Sequence, residues 1–226
     1  MFQLTIYSSN RYEVYLKNIL RLPKRLSNYF YFGAYKDEQL LGFTEWRIYE
    51  DEIFLNQISL FENYRGLGIG KALLEHGFFL AKIYKKNKIT LDVFEDNQFA
   101  DLWYKNNGFK NISSNQWYLT KRLNSSLDGE LTEVSVVNFH TSEAEQALYD
   151  FSNVFIKTSK RTYQVGRIKA LLFRVTGFQA IEDEELQCGL QMLDDTRSLL
   201  LVSEKEIHHN QFQFMGLTKR LSLINN

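Results

Sequence analysis

The chain has 226 residues, with 27 Lys+Arg against 27 Asp+Glu, and 44% of them are hydrophobic. That length allows one large domain or two small ones, the apolar fraction excludes a largely disordered chain, and the zero net charge argues against nucleic acid as the main ligand. The charge is unevenly spread: residues 1–123 hold 17 Lys+Arg and 13 Asp+Glu, a balance of +4, and residues 124–226 hold 10 and 14, a balance of −4.

In chain order, residues 2–7 read as a short strand, and 11–21 place Val14, Ile19 and Leu20 at helical spacing. Three strand-like runs follow, Tyr29–Ala34, Gln39–Tyr49 and Glu52–Phe61, separated by polar breaks that suit turns, which predicts an antiparallel meander. From Gly68 to Tyr84 the period becomes helical, with Ile69, Ala72, Leu73, His76, Phe79, Leu80 and Ile83 on one face and His76 expected in the core. Residues 88–94 read as a buried strand, 97–107 as a helix stopped by Gly108, and 115–122 as a closing strand. The order implies a mixed α/β sandwich (an α+β sandwich) rather than a repeating βαβ array.

Residues 123–130 are polar and make the natural linker, dividing the chain into 1–123 and 124–226. Beyond it, residues 131–139 read as a strand, and Ser142 with Glu145 suggests a capping box for a helix reaching Lys157. A helix over Tyr163–Thr176 and strands over Leu186–Leu193, Ser198–Val202 and Gln211–Arg220 complete a smaller α+β domain. One echo links the halves: Asn115-Gln116-Trp117 leads to LTKRL at 119–123, and Asn210-Gln211-Phe212 leads to LTKRL at 217–221. Either the second half is a degenerate copy of the first, or two basic edge strands coincide.

The segment Tyr64-Arg65-Gly66-Leu67-Gly68-Ile69-Gly70-Lys71 joins a strand to a helix. Glycines let the backbone approach a ligand, and the helix start offers unpaired N–H groups and partial positive charge, so the loop suits a phosphate or pyrophosphate. A P-loop fails because Arg65 and Ala72 stand where Gly and Ser/Thr are needed; a dinucleotide fingerprint fails at Lys71. Residues 65–70 do fit Arg/Gln-x-x-Gly-x-Gly/Ala. Downstream stands Asn97-x-x-Ala100-x-x-Trp103-Tyr104-x-x-x-Gly108-Phe109.

These two motifs, in this order and spacing, resemble those of the GCN5-related N-acetyltransferases (GNAT), and the resemblance covers residues 1–123. It implies a GNAT-like mixed sheet flanked by helices, with acetyl-CoA as cosubstrate. It further implies that backbone amides of Arg65, Gly66, Leu67, Gly68, Ile69, Gly70 and Lys71 hold the pyrophosphate. Gln57–Leu60, with Ser59 and Leu60 at its end, would pair with the pantetheine arm, and the Leu60 N–H would face the thioester carbonyl. Asn97 would bond the pantetheine, and Tyr104 would protonate the leaving thiolate. For the amine's proton the acceptor is Glu52, thirteen residues before Arg65, or Glu45 on the preceding strand, or water.

The implied reaction is acetyl transfer to a primary amine of a small molecule or protein; an inactive acyl-CoA sensor or an interaction protein are the alternatives. The acceptor site would draw on helix 11–25 and the strand turns, and the acidic second half would either attract a cationic amine or serve in packing, a homodimer included. No metal is expected: Cys188 is the single cysteine, and the adjacent His208 and His209, on a strand, would face opposite ways. The N-terminal residues lack the pattern of a signal peptide and no apolar run approaches the ~18 residues of a membrane span, so a cytoplasmic location without a membrane partner is expected.

Overall fold

A computed structural model describes residues 2–120 and 134–224, which leaves the expected linker 123–130 and the end of the first LTKRL outside the described residues. The chain starts with two short 3-10 turns, Phe2–Leu4 and Ile6–Ser8, instead of a strand. The Ser8 hydroxyl donates to the carbonyls of Gln3 and Thr5, a local alternative to ladder pairing. Helix α1 spans Tyr12–Leu20. Strands β1 (Tyr29–Lys36), β2 (Gln39–Ile48) and β3 (Ile53–Leu60) form the expected antiparallel meander. Helix α2 (Ile69–Ile83), β4 (Lys88–Phe94) and α3 (Gln98–Asn106) follow as expected, and β5 (Lys110–Thr120) starts five residues before the strand expected at 115–122, whose last two residues lie outside the described ones.

The later elements depart from expectation. Strand β6 is only Ser135–Val136, and α4 spans Phe139–Tyr149. Ser142 does not cap α4; it lies inside the helix, buried, with its hydroxyl 3.1 Å from that of Ser152. Residues expected to extend that helix form β7 (Phe151–Lys157), and the expected helix 163–176 is the hairpin β8 (Thr162–Ile168) and β9 (Leu172–Thr176). In β7 and β8 buried and exposed positions alternate, the period of a half-buried strand. Conversely, the strand expected at 186–193 is helix α5 (Glu184–Leu193), started by the Asp183 carboxylate accepting from the Leu186 N–H at 3.2 Å. Strands β10 (Ser198–Ser203) and β11 (Gln213–Ile224) close the chain.

Two compact units result, and neither is contiguous, unlike the expected division at residue 123. The first is Leu22–Ser114 with Thr218–Asn226; the second is Met1–Arg21 with Asn115–Leu217. In the first, the sheet order is β1-β2-β3-β4-β11. β3 and β4 are parallel, with α2 as their crossover, and β11 runs antiparallel to β4 from Thr218 to Ile224. Its core gathers Trp46, Leu55, Leu74, Ile89, Tyr104 and Leu221. In the second, the order is β5-β10-β9-β8-β7-β6. β9 and β10 are parallel, with α5 as crossover, and β5 pairs antiparallel with β10. Its core gathers Val154, Phe173, Leu186, Leu190, Leu199 and Leu201.

The two units thus repeat one topology: an antiparallel meander, a helical crossover to a parallel strand, and an antiparallel strand beyond it. That last strand is the one bearing the LTKRL echo; the second unit has it at the start of its long run of chain, whereas the first unit takes it from the far end of the sequence. The sequence places LTKRL at 217–221 at the end of the second half; its last residues lie in the sheet of the first unit.

Helix α2 turns a different face inward from the one expected. Its buried residues are Leu73, Leu74, Gly77, Leu80 and Ala81, whereas Phe79 and Ile83 are exposed. Gly77 decides this: a Cβ there would stand 1.9 Å from Trp46 Cζ2, so the bare backbone is what the indole packs on. His76, expected in the core, is exposed and meets the Phe32 ring edge-on at 4.2 Å between centroids.

Candidate functional site

Every expected site residue lies in the first unit. The loop between β3 and α2 begins with one 3-10 turn, Glu62–Tyr64. Arg65 follows it, exposed, with its Nε 3.4 Å from the Leu60 carbonyl. Gly66 and Gly68 take φ of 76° and 82°, the left-handed region where an L side chain is strained. A Cβ built on either meets nothing within 4 Å, so the backbone there fronts open space. Leu67 between them is exposed, and Ile69 and Gly70 are half-buried.

Gly68 is the N-cap of α2, so the N–H groups of Ile69, Gly70 and Lys71 lie in a first turn that has no preceding helical carbonyls for them. No acidic side chain stands in this turn, and Lys71 adds a cation, 3.9 Å from Glu75. An anion is the complement of such a helix end. Gly70 is also where three elements converge: a methyl group there would lie 3.3 Å from Leu60 Cδ1 and 3.6 Å from Trp103 Cζ2. The end of β3, the start of α2 and the middle of α3 are therefore brought together.

Strand β3 carries a β-bulge. Glu45 pairs with Gln57 and Trp46 with Leu55, which leaves Asn56 as the extra residue. On its other edge β3 pairs with β4 only at Ile53, Phe54 and Leu55. From Gln57 to Leu60 that edge has no β4 partner, and the two strands part. The Phe61 N–H donates to the Leu41 carbonyl at 3.1 Å. Because N–H groups alternate sides along a strand, the Leu60 N–H faces the parted edge, away from β2. Ser59 and Leu60 are both half-buried.

Asn97 is exposed and caps α3, its side-chain oxygen accepting from the Ala100 N–H at 3.2 Å, so its side-chain NH2 remains a donor. Tyr104, about two turns further on, is buried at 7% exposure, edge-on to Trp103 and Phe109 at 5.1 and 5.8 Å between centroids. Burial pushes its phenol well above the ordinary range, so it holds its proton at any working pH.

Glu52 is the expected residue that the fold sets apart. It precedes β3, at the end opposite Leu60; at about 3.3 Å per residue that is roughly 25 Å away. Partial burial raises its carboxyl, but the hydrogen bond and charge of Lys88 and the charge of Arg220 outweigh that and hold it below the ordinary value. Lys88 Nζ lies 2.7 Å from one oxygen and an Arg220 nitrogen 3.6 Å from the other. Glu45 is fully buried: Arg47 donates to its Oε1 from two nitrogens at 2.9 and 2.8 Å, and its Oε2 has no hydrogen-bond partner among the described residues.

Residues matched by the Acetyltransferase (GNAT) family model run from 4 to 109. Those residues are a GNAT acetyltransferase domain. The spermine/spermidine N(1)-acetyltransferase of Bacillus subtilis is 31% identical over 90 residues, 34% of this chain and 57% of that protein, so the chain spans little more than half of this relative. Among solved structures, a tandem GNAT protein from the clavulanic acid biosynthesis pathway is 12% identical with a TM-score of 0.62, covering 92% of this chain and 86% of that one. An acetyltransferase-like protein from Pyrococcus horikoshii is also 12% identical, with a TM-score of 0.57 over 87% of this chain and 74% of its own. At that identity the likeness is one of fold, and it extends over both units.

The first unit carries the glycine loop; the corresponding place in the second unit differs. The connection from β9 to α5 has one glycine, Gly177 at φ 102°, and the N-cap of α5 is Asp183, 1% exposed and also accepting from the Thr158 hydroxyl at 3.0 Å. Glu184 and Glu185 fill the first turn. A helix start already carrying carboxylates repels a pyrophosphate, which explains why only one of the two repeated topologies offers an anion cradle. Sequence reasoning missed Trp103 as a wall of the loop, and it missed Lys219 and Arg220, which enter the first unit on β11. Lys219 Nζ lies 2.9 Å from Asp101 Oδ2 on α3, and Arg220 pairs with Asp92 on β4. The LTKRL echo was the signal for that strand.

Helix α1, expected beside the acceptor, groups with the second unit, where the Tyr15 ring packs edge-on against Phe151 and Tyr149 at 5.1 and 5.4 Å. His208 and His209 lie exposed in the loop before β11 rather than on a strand. Among the described residues, no three His, Cys, Asp or Glu side chains cluster so as to hold a metal, and no helix is long and apolar enough to cross a membrane.

Proposed function

We propose that the chain transfers an acetyl group from acetyl-CoA to a primary amine of a small cationic molecule or a protein, in a cytoplasmic setting. The observation that carries this reading is the parting of β3 from β4 after Leu55, directly before an open, anion-ready glycine loop. A parted strand edge leaves backbone N–H and C=O groups that need partners, and an extended arm bearing two amides supplies them as an added strand would. The fit is specific in its order: edge first for the arm, loop and helix start next for the pyrophosphate.

Acetyl-CoA supplies an activated thioester. Around it, the amides from Arg65 to Lys71 hold the two phosphates, and the Asn97 NH2 bonds the arm. The Leu60 N–H, directed into the parting, stabilises charge on the carbonyl oxygen. Tyr104 gives its proton to sulfur. A free thiol has a reference pKa of about 8.5, yet the desolvation that raises the phenol also disfavours a bare thiolate, so the transfer is not opposed by the full difference. The relative's name supports polyamines as the first acceptors to try.

The test is thiol release from acetyl-CoA with spermidine, spermine, an aminoglycoside and a peptide amine, alongside thermal-shift titration with acetyl-CoA. A shift with thiol release supports the reading. A shift without release for any amine favours an acyl-CoA sensor, and a flat titration overturns the cradle. Tyr104→Phe should cut turnover by about 10²-fold or more while acetyl-CoA binding stays near wild type; loss of binding would refute the acid role.

A further inference from the structure

Helix α2 carries a wider apolar stripe than its sheet covers. Leu73, Leu74, Gly77, Leu80 and Ala81 are buried, while Ala72, His76, Phe79 and Ile83 are all exposed, Phe79 at 58% and Ile83 at 57%. Apolar side chains scattered singly over a surface are ordinary, but a contiguous row of them marks an interaction site. These four stand four, three and four residues apart. On a helix that spacing makes one continuous seam, with the alternation that fills the a and d positions of a packed helix pair. Its rings are already in contact: His76 lies 6.1 Å from Phe79 between centroids and meets Phe32 of β1 edge-on. Tyr84, also exposed, extends the patch beyond Ile83 and packs edge-on to Phe30 at 5.4 Å.

The seam is complementary to itself in one orientation. Two such helices laid antiparallel about a two-fold axis beside Phe79 set His76 of each against Phe79 of the other, and Ala72 against Ile83. Ring then meets ring, and the smallest side chain meets a branched one, with every contact made twice. In an antiparallel pair the residues flanking the seam on one side face the same flank of the other helix. That flank carries Glu75 and Lys82, so carboxylate and ammonium come opposite each other at both ends. Both are exposed; Glu75 has Lys71 at 3.9 Å, and Lys82 has no ion-pair partner among the described residues. Laid parallel, the same helices would stack Ala72 on Ala72 and keep Glu75 and Lys82 apart.

We infer that α2 is a homodimer surface, on which two copies of this chain pair antiparallel along Ala72, His76, Phe79 and Ile83 with Glu75 facing Lys82. The surface belongs to the unit that carries the glycine loop, not to the acidic second half, and it stands independently of the acetyltransferase reading. Apolar burial supplies the affinity. The exposed ion pair sets orientation more than strength, so neutralising Lys82 costs little whereas reversing its charge does not.

The experiment is sedimentation equilibrium of the full chain from micromolar to submillimolar concentration, with circular dichroism on every variant. Wild type should approach twice the chain mass. Phe79→Ser removes the central ring from both sides of the axis and should raise the dissociation constant by about 10²-fold or more. Lys82→Glu puts two carboxylates together at each end and should raise it by about tenfold; adding Glu75→Lys, which exchanges the charges, should recover most of that. All these positions are exposed, so the circular dichroism should not change. Should Phe79→Ser fail to fold, Ile83→Ser serves the same purpose at the end of the seam. A chain that stays monomeric at every concentration, a dimer indifferent to loss of the seam's apolar side chains, or a charge exchange no better than the single reversal would each overturn the assignment.

Discussion

Gly77→Ala isolates the contact that sets how α2 lies on its sheet. A Cβ at this position would stand 1.9, 2.3 and 2.4 Å from Cζ2, Cη2 and Cε2 of Trp46, a fully buried ring. Ordinary carbon contacts begin near 3.5 Å, so helix and indole must separate by well over an ångström within a close-packed core. Overpacking of this kind costs about 1–3 kcal/mol, and three ring atoms meeting a backbone-fixed methyl put this case at the upper end. Alanine returns about 0.8–1.0 kcal/mol of helix propensity, which leaves a net loss of about 2 kcal/mol. For a chain of this size each kcal/mol moves Tm by about 2–4 °C, so the expected fall is about 4–8 °C.

Thermal unfolding followed by circular dichroism reads this directly. Trp46→Leu removes the colliding ring, so adding Gly77→Ala to it should cost little, and the cycle should show a coupling of about 2 kcal/mol. The exposed Lys82→Ala on the same helix should leave Tm within about 1 °C, because surface changes away from such contacts are small. An unchanged or raised Tm for Gly77→Ala alone would refute the packing argument, since helix propensity would then have decided the outcome.

Lys219→Met should destabilise the protein by about 1–3 kcal/mol, because it removes a partner from a mostly buried Asp101 and leaves Lys105 as its remaining cation; chemical denaturation should show the loss, and adding Asp101→Asn should recover part of it. The acid limb of stability follows from the lowered carboxyls of Glu52 and Asp101. In each, burial raises the pKa but the cationic partners prevail, Lys88 and Arg220 for Glu52 and Lys219 and Lys105 for Asp101. Their contribution is therefore present above the ordinary values of 4.5 and 3.8 and is lost as pH falls through the lowered ones. Urea midpoints should fall progressively below about pH 4.5, and a flat profile from there to pH 2.5 would contradict the ion pairs.

The first hundred residues were legible because their signals are local. Arg65–Lys71 writes its own backbone: Gly66 and Gly68 admit positive φ, and the helix after them leaves amides free whatever it packs on. Asn97 caps α3 through a bond three residues long, and Gly108 stops it. Periodicity found the helix of α2 but not its inward face, since that depends on a bare backbone at Gly77 meeting an indole thirty-one residues earlier.

Beyond residue 130 the same method exchanged helix for strand. The apolar positions of 163–176 and 186–193 fit either period over so short a run; the β8–β9 hairpin and the cap at Asp183 decide them. The sequence by itself determined the anion-ready loop and the family's two motifs. Tertiary structure alone decided which strand completes the sheet around them, because a strand's hydrogen bonds go to a partner that no local pattern names. Thr218–Ile224 pairs with β4 rather than with its neighbours in sequence, and so the last described residues of the chain build the unit that holds the glycine loop.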